Sequence, residues 1–244
     1  MQAVIYIENI PPCGFGNRIL YYNNLRQISQ MKEEEWSCPP WDGYQYFAGD
    51  LLNGSQRHGQ KLEPCLGEKF FEWNTISTRS IFELKNVPSI TDAVCAIHFR
   101  GTDFHQWNIN AVLGYEYYYN SIQKVKNSVD SFALFTDDLS LDSFKRVKYY
   151  LLSEDIDFSE GTRSLQIPSH WAGSNYIDDF SFMSECDYII SSPSTFCISA
   201  GFIGRKKKII HSKEWAEDRV NNGDGFWADL LEGGNEDYSV WSLV

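Results

Sequence analysis

The sequence has no run approaching the ~18 consecutive apolar residues that a membrane-crossing helix needs, so no transmembrane segment is expected. Its first residues, Met1-Gln2-Ala3-Val4-Ile5-Tyr6-Ile7-Glu8, lack the basic stretch and apolar run of a secretory signal and read as a strand from the outset. The six cysteines form no C-x-x-C pair, so no zinc or iron–sulfur site is suggested and no metal is expected. The expected compartment is the cytoplasm. Cys95 and Cys197 lie in apolar runs and are expected to be buried free thiols, while a Cys38–Cys65 pairing stays open. Positive charge is scarce: 21 Lys and Arg against 33 Asp and Glu leave a net charge of −12. That sign argues against a nucleic-acid backbone or an anionic membrane as the main partner. A small anion is still admissible, because an arginine beside helix N-termini can hold phosphate on an acidic protein.

The 244 residues suit one large domain or two small ones. A hydrophobic share of 43% supports a real core and excludes a disordered chain. Periodicity predicts a strand over 3–7, a loop Pro11-Pro12-Cys13-Gly14-Phe15-Gly16, and a helix from Asn17 to about Met31. Residues 32–68 hold turn signals and no clear period. From about 88 the pattern becomes regular. Strands are predicted over 93–99, 132–136, 165–167, 188–191 and 208–211, with helices over 114–129, 140–152, 178–186 and 194–203. The run Ala93-Val94-Cys95-Ala96-Ile97-His98-Phe99 has the continuous apolar character of a parallel strand covered on both faces. Strands alternating with helices mean an α/β sheet with right-handed crossovers. The tail after Ser212, with Trp215, Trp227 and Trp241, is expected to pack back on the body.

Ligands of open α/β sheets bind beyond the carboxyl ends of the strands, so the residues after each strand matter most. They are Cys13-Gly14-Phe15-Gly16-Asn17-Arg18, then His98 with Arg100-Gly101-Thr102-Asp103, then Asp137-Asp138, then Ser192, Ser194 and Thr195. Arg100 has the planar fork that grips two phosphate oxygens. Ser194 or Thr195 caps a helix whose free N–H groups face the same place. Gly14 and Gly16 permit close backbone approach, and Asn17 opens the next helix. Together the set describes a diphosphate site. Each part also has a plainer use: helix capping for Ser194 and Thr195, a strand–helix turn for the glycines, and an ion pair to Asp103 or Asp137 for Arg100.

Taken in order, these blocks resemble the GDP-fucose-dependent fucosyltransferase superfamily, which includes α1,2-, α1,6- and protein O-fucosyltransferases; the bacterial α1,2 type is the nearest in character. Cys13 to Arg18 is similar to that family's G-x-G-N-Q/R loop, and Ala96 to Asp103 to its H-x-R-R-x-D motif. Asp179 to Ser192, followed by Ser194-Thr195-Phe196, is similar to its D-x-x-x-(L/M)-S-x-(A/C)-D block with the Ser/Thr-Phe turn. The resemblance covers about half the chain. It implies Arg100 as the essential cation at the β-phosphate, His98 and Asp179 at the guanosine, Ser194, Thr195 and Phe196 in the donor site, and Gly16 and Asn17 near the diphosphate and fucose. It departs from the family at Gly101, where the second arginine of the motif would stand, and at Asn108, where the α1,6 branch carries a glutamate base.

The implied fold is of GT-B type: two Rossmann-like lobes facing across a cleft. The division is an acceptor-side lobe over 1–89, a donor lobe over 90–211 and a tail over 212–244. The implied reaction moves fucose, or a related deoxyhexose, from a GDP-sugar to a glycan hydroxyl with inversion and with no cofactor. Asp103 and His105 are candidate bases, though structural roles compete for both, and Trp107, with Trp36, Trp41 and Trp171, is a candidate acceptor contact. Three alternatives stand beside this reading. One is another nucleotide-sugar donor. A second is a nucleotide- or glycan-binding relative without catalysis. A third is a phosphohydrolase with metals held by His98, Asp103, Asp137, Asp138, Asp178 and Asp179.

Overall fold

A computed structural model describes residues 4–49, 59–63, 81–160, 176–204, 208–223 and 241–244. The fold is α/β and every strand pair within its two sheets is parallel. The first sheet is small. Its middle strand is β1 (Val4–Tyr6), flanked by β2 (Glu35–Ser37) and β3 (Gln60–Lys61). Helix α1 (Phe15–Lys32) makes the crossover between β1 and β2. It stops at Glu33, whose φ of 54° puts it in the left-handed region, and the chain turns directly into β2. A single turn, α2 (Gly43–Tyr46), follows.

Among the described residues, the second sheet has six strands. In chain order these are β4 (Val94–Phe99), β5 (Ser131–Thr136), β6 (Phe158–Glu160), β7 (Tyr188–Ile190), β8 (Lys208–His211) and β9 (Trp241–Leu243). Their spatial order is β6-β5-β4-β7-β8-β9. Between them come the one-turn helix α3 (Phe104–Trp107), then α4 (Tyr115–Val125), α5 (Asp142–Ser153), α6 (Tyr176–Glu185), α7 (Thr195–Ile203) and α8 (Lys213–Asn221). The chain's last residues extend the sheet beyond β8, with Ile209 opposite Trp241. The strand expected over 165–167 lies outside the described residues, and the sheet's outer strand next to β5 is β6. Trp171, Cys65 and Trp227 also lie outside them.

Period-two alternation along the central strands sorts their side chains onto two faces. Cys95, Ile97 and Phe99 of β4, with Phe132 and Leu134 of β5, pack on Tyr118, Ile122, Phe144 and Val147 of α4 and α5. Val94 and Ala96, with Ala133 and Phe135, pack on the opposite side against a second apolar cluster. That cluster runs without a break through Phe180 and Ile198 of α6 and α7 to Phe15, Ile19 and Ile5 of the first sheet and its helix. His98 belongs to this second series, so its ring points toward α7 and α1. Cys95 and Cys197 are buried and free, as their apolar settings predict, and Cys38 is also free and buried. Among the described residues no helix is long and apolar enough to cross a membrane.

Candidate functional site

Parallel pairing aligns the strand exits. Phe99 stands opposite Thr136 across β4 and β5, and Ile97 opposite Ile190 across β4 and β7. The residues that follow, from Arg100, Asp137 and Ser191 onward, therefore leave one edge of the sheet. His98 is the last inward group before that edge. It is buried, and its Nδ1 lies 2.7 Å from the Ser192 hydroxyl. Burial, with the Arg100 guanidinium as a smaller cause, pulls its pKa down to about 3. The imidazole is therefore neutral at ordinary pH, with the Phe196 ring 5.9 Å away.

His211, buried next to Ser191 with 2.8 Å between its Nδ1 and the hydroxyl, is also pulled down to about 3 by burial. In both cases the folded pKa lies below the unfolded value, so the unfolded chain takes up protons that the native one refuses. Stability is then expected to hold above about pH 6.5. Below it, stability falls by about 1.4 kcal/mol per pH unit for each histidine. Urea midpoints measured from pH 7.5 to pH 5 check this, and a flat profile would contradict it.

Arg100 follows the strand directly. Nη1 sits 2.8 Å from Asp137 Oδ2, and Nη2 sits 2.9 Å from Asp103 Oδ1. Its Nε is buried with no hydrogen-bond partner among the described residues, and the Phe104 ring lies 5.4 Å from the guanidinium. Asp137 also accepts from the Gly101 N–H at 2.8 Å and from Thr102 Oγ1 at 2.7 Å, which closes the turn after β4. The plainer reading of Arg100 as an ion-paired cation is thus realised twice over. One positive and two negative groups leave the cluster unfavourable to a phosphate until a carboxylate gives way. Asp103 is the one that can, being 60% exposed where Asp137 is 14% exposed. An exposed pair is worth only ~0–1 kcal/mol, whereas a guanidinium-to-phosphate contact is bidentate and charge-assisted.

Gly101 is packed, not merely permissive. A Cβ there would stand 2.8 Å from Asp138 Cβ and 2.9 Å from Leu141 Cδ2. An arginine would require Asp138 to move.

The helix that follows β7 meets the start of α1. Ser194 caps α7, its hydroxyl accepting from the Phe196 N–H at 3.3 Å. Thr195 Oγ1 donates to Asn17 Oδ1 at 2.5 Å. Gly16 is what permits that approach: a Cβ on it would come within 2.5 Å of the Phe196 nitrogen and closer still to the Thr195 carbonyl. Phe15 anchors the same turn in an aromatic cluster, 5.1 Å from Phe180 and 5.3 Å from Tyr176. Phe196 closes it, 5.3 Å from Phe180. Asp179 is buried on α6, one residue before Phe180.

Three of the sequence-selected groups thus come together directly: Gly16 and Asn17 with Thr195, His98 with Ser192 and Phe196, and Arg100 with Asp103. Among the described residues, the polar partners of Arg100 are the carboxylates of Asp103 and Asp137, not Ser194 or Thr195. His105 Nε2 stands 3.8 Å from Asp138 Oδ2. Trp107 is 58% exposed and packs on Phe104 and Trp215, with the Arg219 guanidinium 5.8 Å from its ring.

One group had no assigned role from sequence. Arg18 Nη1 pairs with Asp42 at 2.8 Å, and the Tyr176 hydroxyl donates to the other Asp42 oxygen at 3.0 Å. This places a second guanidinium at the Gly16–Asn17 turn. The arginine stood within the quoted loop, but Asp42 lies in the aperiodic stretch and gave no signal. Among the described residues, no three His, Cys, Asp or Glu side chains are grouped to hold a metal ion.

Compared with protein-family models and with curated proteins, the chain matches none.

Proposed function

We propose that the chain is an inverting glycosyltransferase that moves fucose, or a related deoxyhexose, from a GDP-sugar to a glycan hydroxyl. The observation that carries this reading is the meeting of Gly16 and Asn17 with Thr195 on the sheet edge that also bears His98 and Arg100. Three sequence blocks far apart in the chain would not need to converge there for capping alone. In the reaction, negative charge grows on the departing diphosphate as the anomeric bond breaks. Arg100 would meet that charge once Asp103 swings away, aided by the positive end of the α7 dipole. The GT-B arrangement belongs to the same proposal. Two parallel sheets bridged through α1 and α7 support it, with the donor on the larger sheet and the acceptor toward residues 1–89. We further propose that it acts in the cytoplasm; the five described cysteines are free thiols, and free thiols persist in reducing compartments.

A panel of GDP, UDP, ADP and CDP in a thermal-shift assay tests the donor class. GDP at a hundredfold excess over its Kd should stabilise by about 2.7 kcal/mol, with the other nucleotides well behind. Equal shifts, or none, would defeat the reading. Asp179 is proposed to accept from the guanine N–H groups. Asp179→Ala should then weaken GDP by roughly 1.5–3 kcal/mol, the worth of a hydrogen bond to a charged group, while UDP changes little. Equal loss for both nucleotides would remove Asp179 from base recognition.

A second reading is favoured by one observation. The double ion pair of Arg100 suits a nucleotide-sugar-binding relative that does not turn over, since a guanidinium held by two carboxylates can serve the turn alone. It predicts GDP binding with no sugar transfer.

A further inference from the structure

We propose that His105, oriented by Asp138, is the general base that deprotonates the acceptor hydroxyl; this rests on the transferase reading. Of the described histidines, His98 and His211 are buried and engaged by serine hydroxyls, so neither meets an incoming acceptor. His105 is 45% exposed and sits on α3, one turn beyond Arg100. Its backbone N–H is tied to the Gly101 carbonyl at 3.1 Å, which fixes where the ring starts. Asp103, the other candidate base, is paired with Arg100 here and is released only as that guanidinium turns to the diphosphate.

The partner of His105 is built for the task. Asp138 Oδ1 accepts from both the backbone N–H and the hydroxyl of Ser140, at 2.8 and 2.5 Å. Its backbone N–H donates to Thr136 Oγ1 at 3.0 Å. One carboxylate oxygen is therefore pinned, and the other, Oδ2, faces His105 Nε2 at 3.8 Å. That is longer than a hydrogen bond, and catalytic hydrogen bonds are often long before a substrate arrives.

Gly101 makes this arrangement possible. Its missing side chain leaves Asp138 within 3 Å of where a Cβ would stand. An arginine at 101 would displace Asp138 or pair with it and take it from His105. Tandem Asp137 and Asp138 then divide the work: the first holds the guanidinium, the second the imidazole.

In the step, the acceptor oxygen forms its bond to the anomeric carbon as its proton passes to Nδ1 of neutral His105. The bond from that carbon to the β-phosphate oxygen breaks, and its electron pair leaves with GDP. Nε2–H faces Asp138, which stabilises the imidazolium until Nδ1 returns its proton to water.

The test uses the full chain with GDP-fucose as donor and lactose, N-acetyllactosamine and chitotetraose as acceptors. His105→Ala should lower kcat by 10²–10⁴-fold, the usual worth of general base catalysis, with the thermal shift from GDP unchanged. Added imidazole should restore part of that loss, which a merely structural histidine would not allow. Asp138→Asn keeps an oxygen for Ser140 and should lower kcat about tenfold, leaving KM for GDP-fucose as it was. Turnover of His105→Ala within tenfold of the unaltered protein, or a loss that imidazole leaves untouched, overturns the assignment while the transferase reading stands. Transfer to none of the three acceptors by the unaltered protein overturns the base assignment, and with no GDP shift as well it overturns the donor reading too.

Discussion

If the proposed transfer is right, replacing Arg100 with alanine cuts it by two to three decades. A preorganised charge aimed at a departing group is worth ~3–4 kcal/mol in the transition state, and the matching rate loss follows. Arg100→Lys should fall almost as far. An ammonium is a point charge and cannot span Asp137 and a phosphate with the geometry of a fork. The fold should survive either change, because Asp137 keeps the Gly101 N–H and the Thr102 hydroxyl. Two assays separate the functional role from the structural one. If Arg100 serves the diphosphate, steady-state transfer collapses and the thermal shift from GDP shrinks. If it serves only the turn after β4, the melting temperature drops while the GDP shift remains. Near-normal turnover in the alanine variant would end the catalytic assignment.

Gly16→Ala is expected to destabilise the protein by about 3 kcal/mol, at the upper end of overpacking costs. The reason is the identity of what the new methyl group meets. It would strike the Thr195 carbonyl and the Phe196 nitrogen, both backbone atoms held in the first turn of α7. Neither can rotate away as a side chain would, so α1 and α7 must separate. That separation also breaks the Thr195–Asn17 bond and loosens Phe15 from Phe180. Urea unfolding should show the loss at unchanged m-value. A substitution tolerated within 0.5 kcal/mol would mean that the close approach of α1 to α7 is not what holds the two sheets together.

The central strands were legible because burial on both faces leaves a signature that no surface strand has. β4 and β5 appear where the apolar runs 93–99 and 132–136 lie. Of the small sheet, only the middle strand β1 and the helix after it were legible. β2 and β3 have three and two residues, too few to show alternation, and β2 opens on the exposed Glu35. The last strand, Trp241–Leu243, is equally short. At the site, the need of a cation after a buried strand for an anion pointed to Asp103 and Asp137, and both are there. The contacts of Asp138 with His105, and of Asp42 with Arg18 and Tyr176, were hidden for a different reason. They depend on which strands pair and where helices cross, and local sequence does not encode that. Gly101 was visible as a departure from the motif, but only its packing against Asp138 and Leu141 shows that the position is filled by its neighbours.

The most direct measurement is a crystal structure of the protein with GDP bound. The nucleotide is expected at the exits of β4 and β7, with the Arg100 guanidinium about 3 Å from the β-phosphate, Asp103 released, and Asp137 still in place. A nucleotide bound elsewhere, or an Arg100 still locked to both carboxylates beside a bound diphosphate, would contradict the proposal.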